Sequence, residues 1–255
     1  MSTSPGAHLE LAGLELDVGS EREGLERMFS SLEGGSGGWA VALDLPSLRR
    51  LARSEQTRSL VRSADLRIPV GPVIRGVVRL RGVPCDADAD AFELAEALAS
   101  KAADRGRSVA LVGGSGGEGA QLGQAWTMKY PGLRVVDAVE PWLDADPTEL
   151  QLRSLGEWLR SVQPDIAFFG LGAPKDERVI HQVRHVAPAT WMVALGSHFG
   201  QGPSLDRPLR AGAHAWFESI RHPRAAARRG VWSDLPFTGE LVLRSAWLRL
   251  RRRIG

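Results

Sequence analysis

With 255 residues, 43% hydrophobic, 24% charged and 6% aromatic, the chain has the balance of an ordinary globular protein and is neither collagenous, low-complexity nor disordered. Its single cysteine, Cys85, can form no intrachain disulfide and no cysteine-based zinc site, which fits a reducing compartment. Formal net charge is +2, but residues 221–255 carry nine arginines against Asp234 and Glu240, so the basic character is local and suits a polyanionic partner, a membrane surface or nucleic acid.

Met1 to Leu16 lacks the basic-then-apolar order of a signal peptide, and no run approaches the ~18 apolar residues of a spanning helix, so a soluble or peripheral protein is expected. His8 to Leu16 alternates as one short strand, Glu21 to Leu32 reads as a helix, and Gly34 to Gly38 as a turn. Trp39 to Leu43 follows as a buried strand, Pro46 to Arg62 as one helix, Leu66 to Val70 as a strand, and a helical stretch then runs through Leu80 to Gly82. From Ala91 the rhythm is regular: helix to Arg105, strand Val109 to Val112, glycine turn Gly113 to Gly119, helix Ala120 to Lys129, strand Arg134 to Val139. A second such unit comprises helix Pro147 to Ser161, strand Ile166 to Gly170, helix Lys175 to Val186 and strand Thr190 to Leu195. Alternation of this kind predicts an α/β fold, a Rossmann-like, mostly parallel sheet with helices on both faces. Residues 1–212 are assigned to that core. Residues 213–255 form a basic helical appendage, in which Leu243, Trp247 and Leu250 share one side of the last helix and arginines the other.

Two loops fall at the carboxyl ends of predicted strands, where open α/β sheets bind ligands. In Val112-Gly113-Gly114-Ser115-Gly116-Gly117-Glu118-Gly119, glycines let the backbone approach a phosphate and the next helix points its amides at it. No Lys-Ser/Thr ends this loop, so it is not a Walker A motif. The acid that a dinucleotide fingerprint expects on the following strand is met only loosely by Asp137. A tight turn before a helix is the plain alternative.

The second loop, Phe168-Phe169-Gly170-Leu171-Gly172-Ala173-Pro174-Lys175-Asp176-Glu177, resembles the Gly-x-Gly-x-Pro-Lys-Gln-Glu signature of the WecG/TagA/CpsF family of glycosyltransferases. Val112-Gly113-Gly114, Tyr130-Pro131-Gly132-Leu133, Gln163-Pro164-Asp165-Ile166, Trp216, Ile220 and His222-Pro223-Arg224 resemble family segments in the same order, from about Val41 to Arg229. The resemblance implies transfer of a hexosamine, typically N-acetylmannosamine, from a UDP-sugar to a polyprenyl-diphosphate-linked acceptor. It also implies a cytoplasmic location, peripheral at the inner membrane face, no cofactor and no metal, and an appendage that meets the anionic membrane surface. Nucleic acid is not expected, since no DNA- or RNA-binding module surrounds the basic tail. Homo-oligomerisation is left open. Donor-binding candidates by this match are Gly113, Gly114, Ser115, Gly170, Gly172, Pro174, Lys175, Asp176 and Glu177, joined by His198 from its place after the last sheet strand.

The departures concern the chemistry. Val70 stands where the family carries its candidate general base, an Asp before Gly. Asp176 replaces the signature Gln, and the Gly-Tyr pair expected around Val139 to Trp142 is missing. Asp44, Asp65, Asp86 and Asp88 are the acids left to deprotonate an acceptor, and Asp44, ending its strand, is the catalytic candidate. Asp65 would face the wrong end of the sheet. The alternative is a catalytically inactive relative that still binds a nucleotide or a partner protein. His181 and His185 lack the Glu of a zinc-binding HExxH helix and read as a solvated face.

Overall fold

The computed structural model describes residues 8–18, 21–83, 90–195, 199, 237–245 and 247. Strands β1 (His8–Leu11) and β2 (Leu14–Asp17) are followed by α1 (Glu21–Glu33), β3 (Gly38–Leu43), α2 (Leu45–Arg53), α3 (Glu55–Arg62), β4 (Leu66–Pro69) and α4 (Pro72–Leu80). Then come α5 (Ala91–Asp104), β5 (Ser108–Gly113), α6 (Glu118–Lys129), β6 (Arg134–Val139), α7 (Glu149–Val162), β7 (Ile166–Gly170), α8 (Lys175–Val183) and β8 (Trp191–Ala194). Residues 237–245 are helical.

Six strands form one parallel sheet in the order β4-β3-β8-β7-β5-β6. This is the expected α/β architecture. Side chains alternate across each strand, so one sequence feeds two cores. Trp39, Val41, Leu43, Phe169 and Met192 face one layer with α2, α3, α4, α7 and α8. Ala40, Leu111, Phe168 and Val193 face the other with α1, α5 and α6, where Trp126 meets Phe168 edge-on at 5.2 Å. Leu241 of the 237–245 helix is buried against the first layer.

Two elements differ from the sequence reading. The single strand expected over His8 to Leu16 is an antiparallel hairpin, because Ala12 and Gly13 both take positive φ, 53° and 73°, the two-residue turn that suits twisted strands. The single helix expected from Pro46 to Arg62 is two. Ser54 leaves helical geometry at φ −131° and ψ 107°, and its hydroxyl caps α3 by accepting from the Thr57 amide. Elsewhere side chains tie the helix starts as their sequences suggest, with Asp90 and Glu93 closing a capping box on α5 and Thr148 and Gln151 another on α7.

The amino edge of the sheet is held by hydrogen-bonded carboxylates. Asp65 accepts from the Trp39 amide at 2.9 Å, which places it at the end of β3 away from the carboxyl-end loops. Asp165 accepts from the Ser108 amide and hydroxyl, both at 2.7 Å, and from Arg107. Partial burial pushes the Asp165 carboxyl up, but the Ser108 and Arg107 hydrogen bonds outweigh it and leave the pKa below the ordinary aspartate value. A depressed pKa stabilises the fold above the unfolded value and is lost as pH falls through the folded one. Asp165→Ala is therefore expected to cost about 1–3 kcal/mol at neutral pH, read as a lowered Tm. The gap to the natural chain should narrow in acid.

Candidate functional site

The site is built where the connections diverge. From β5 the chain crosses through α6 to β6 on one side, and from β7 through α8 to β8 on the other, while β5 and β7 pair along their whole length. Loops that leave neighbouring strands in opposite directions open a crevice at their carboxyl ends. These two loops are the glycine turn and the Gly-Leu-Gly-Ala-Pro-Lys segment.

They touch through backbone. A β-carbon on Gly113 would lie 2.6 Å from the Gly170 carbonyl oxygen, and Gly113 has φ +112°, a region open to glycine. The Gly114 amide donates to that same carbonyl at 3.1 Å. A β-carbon on Gly170 would in turn meet the Phe199 ring at 2.7 Å. Beyond this junction, the turn's amides are already engaged by acids: Ser115 donates to Glu118 at 3.1 Å and Gly117 to Glu140 at 2.6 Å. The turn therefore binds carboxylate oxygens, as a nest of convergent amides does.

In the second loop, the Lys175 and Asp176 amides both donate to the Gly172 carbonyl, and Ala173–Pro174 is cis. Asp176 is fully buried, and its Oδ1 accepts from the Leu171 amide at 2.7 Å. The residue that stands for the signature Gln thus holds the loop to the first turn of α8. Lys175 donates to the Leu143 carbonyl at 3.1 Å, joining this loop to the segment after β6. An ammonium has three donors, so this bond uses one.

Next to the crevice, at the carboxyl ends of β3, β4 and β8, lies a cavity of about 180 Å³ whose lining includes Asp44, Arg50, Val70, Ala173 and Glu177. Asp44 follows β3 and caps α2, its Oδ1 accepting from the Ser47 amide at 2.8 Å. Arg50 is aligned one turn on by donating to the Ser47 hydroxyl at 3.1 Å. Val70 is 2% exposed and presents only hydrocarbon. Glu177, on the first turn of α8, is 4% exposed, and its Oε2 has no hydrogen-bond partner among the described residues. Burial pushes its carboxyl above the ordinary glutamate value and Asp44 adds to this, while its own backbone amide, Arg50 and Arg178 pull the other way.

Nine of the ten donor-binding candidates thus lie on the two touching loops or the first turn of α8, and Asp44 and Glu177 line the adjoining cavity. His198 lies outside the described residues, as do Cys85, Asp86, Asp88 and 201–236. Two site residues escaped the sequence reading. Arg50 was signalled by its i, i+3 spacing from Ser47 at the start of a helix that follows a strand. Glu140, rather than Asp137, is the acid beside the glycine turn; Asp137 instead accepts from the Trp158 indole at 2.8 Å.

A profile of the "Glycosyl transferase WecG/TagA/CpsF family" matches residues 9–252. Among curated proteins, the N-acetylglucosaminyldiphosphoundecaprenol N-acetyl-beta-D-mannosaminyltransferase of Bacillus spizizenii is 25% identical over 141 residues, 55% of this chain. The match spans about half of that relative's length, 52%. A solved structure, a FpvC mutant from Pseudomonas aeruginosa, aligns over 61% of this chain and 44% of its own at 14% identity and a TM-score of 0.27, a likeness too slight to bear on the site.

A carboxyl with a raised folded-state pKa supports the fold fully below the unfolded value of about 4.3 and withdraws that support as pH rises through the folded value. At neutral pH the Glu177 carboxylate is a cost. Glu177→Gln is expected to raise Tm by about 2–6 °C near neutral pH, with the difference closing toward pH ~4. A lowered Tm would identify Glu177 as a stabilising, fully paired group.

Proposed function

The chain belongs to the WecG/TagA/CpsF family of glycosyl transferases, and from that premise we propose that it moves a hexosamine, N-acetylmannosamine or a close relative, from a UDP-sugar to a polyprenyl-diphosphate-linked acceptor in cell-envelope polysaccharide synthesis. The observation that carries the reading is the junction of the glycine turn and the signature loop at the switch point between β5 and β7. The donor diphosphate lies along this junction. There it replaces the Glu118 and Glu140 carboxylates on the Ser115 and Gly117 amides, and meets Lys175 at the positive end of α8. The same charge stabilises the leaving UDP as the glycosidic bond to it breaks.

The adjoining cavity is smaller than the ~300–1,000 Å³ of pockets that enclose a drug-sized ligand, so it takes a sugar ring and the acceptor hydroxyl rather than the nucleotide. Asp44 and Arg50 on one wall and Glu177 on the other supply the polar groups for that ring. A second reading, an inactive relative that binds nucleotide without transfer, draws on Val70, buried and without a titratable group where the resemblance expects the family's base.

Calorimetric titration with UDP and UDP-hexosamines tests the donor site. Binding should weaken at least about tenfold in Lys175→Ala and be lost in Gly172→Val, where a branched side chain is forced onto φ +92°. Retained affinity in both variants would move the donor elsewhere. Binding without turnover of any lipid-linked acceptor would favour the second reading.

We also propose that the carboxyl-terminal helix meets an anionic membrane surface. No helix of the described residues is long and apolar enough to cross a membrane. In residues 237–245 and 247, Leu241 and Ser245 face inward while Glu240, Leu243, Arg244 and Trp247 are exposed, an amphipathic outer face with two large apolar side chains suited to lying in an interface. Truncation would strip Leu241 from the core, so substitution is the cleaner test. Leu243→Glu with Trp247→Glu should weaken sedimentation with anionic vesicles by about tenfold or more, and added salt should weaken that of the natural chain. Equal binding would remove the helix from this role.

A further inference from the structure

The cavity beside the crevice is walled at the ends of β4 and β8 by Val70, Ala194 and Leu195, none of which can take a proton. Two carboxyl groups reach it, and they differ in what else they do. Asp44 commits Oδ1 to the α2 cap. Glu177 is 4% exposed, stands on the first turn of α8 directly after the signature loop, and has Oε2 without a partner among the described residues. An oxygen in that state has lone pairs available to an incoming donor and nothing to give up when one arrives.

We propose that Glu177 is the catalytic base that takes the proton of the acceptor hydroxyl, in place of the family position held here by Val70. The inference rests on the transferase reading above. In the step, the acceptor O–H bond breaks and its proton passes to Glu177 Oε2. The acceptor oxygen forms a bond to the anomeric carbon of the donor sugar, and the bond from that carbon to the β-phosphate oxygen breaks, its electron pair leaving with UDP. No other reactant is required. Asp44 and Arg50 from the α2 side and Arg178 on its own helix are the charges that act on Glu177, and its carboxyl lies above the ordinary glutamate value, which makes it the stronger base near neutral pH. Leaving a buried carboxylate part-unpaired costs stability, a pattern that persists where function requires it.

The test compares the full chain with Glu177→Gln and Glu177→Asp, using UDP calorimetry, Tm, and turnover of a UDP-hexosamine with a polyprenyl-diphosphate-linked acceptor over about pH 5–9. For Glu177→Gln, UDP affinity should stay within about twofold while kcat falls about 10²–10⁴-fold, and the acidic limb of kcat/KM, set above the ordinary glutamate value, should vanish. Glu177→Asp, which keeps a carboxylate, should keep that limb at reduced kcat. Retention of more than about a tenth of kcat by Glu177→Gln, or an unmoved acidic limb, overturns the assignment. UDP binding without turnover by the natural chain also overturns it, leaving the donor site intact. Absence of UDP binding overturns both readings.

Discussion

The closeness of Gly113 to the Gly170 carbonyl governs the rest of the molecule: a β-carbon would stand 2.6 Å from that oxygen, so β5 and β7 can be paired to their last residues only if no side chain stands there. Pairing to the end is what brings the two loops into backbone contact before they part. Once they part in opposite directions, α6 and α8 must lie on opposite faces of the sheet, and the two cores are thereby assigned. The crevice and its adjoining cavity are consequences of that geometry, not additions to it.

Charge is distributed unequally between the two edges of the sheet. At the amino edge, Asp65 and Asp165 are each matched by backbone or hydroxyl donors, and Asp17 accepts from the Arg67 amide and lies beside Arg27. These acids join elements and stabilise them. At the carboxyl edge, among the described residues, Glu177 keeps an oxygen without a partner, Glu118 and Glu140 sit on amides that another anion can claim, and Lys175 donates once, to the Leu143 carbonyl. The match is not complete at either edge, since Arg67 Nε and Trp191 Nε1 are buried at the amino edge without partners among the described residues, but the bare carboxylate oxygen lies at the carboxyl edge.

The chain belongs to its family over residues 9–252, and the structure gives a physical meaning to the positions where its sequence departs from the signature it resembles. Asp176, in place of the signature Gln, is short enough to bond the Leu171 amide and is wholly buried, so it acts on the loop's shape. Val70 closes a hydrocarbon wall in a cavity that still contains two carboxyl groups and a guanidinium. A valine at the position where the resemblance expects an acid therefore does not leave the cavity without carboxyl groups.

Sequence alone determined the layered α/β architecture, because alternating strand and helix periods, glycine after β5 and β7, and cap residues such as Asp90 and Thr148 all act over a few residues. It likewise marked the two loops, whose residue types are demanded by local backbone. It did not separate β1 from β2 or α2 from α3, since both breaks turn on the φ and ψ of one or two residues, Ala12 with Gly13 and Ser54, inside patterns that read as continuous. It made Asp44 the catalytic candidate and Glu177 a donor-binding one, but did not reveal the burial of Glu177 or the Arg50 and Glu140 contacts. Those distinctions depend on burial and on which hydrogen bonds are already taken, and both arise only when strands from β3 to β8, distant along the chain, are set side by side.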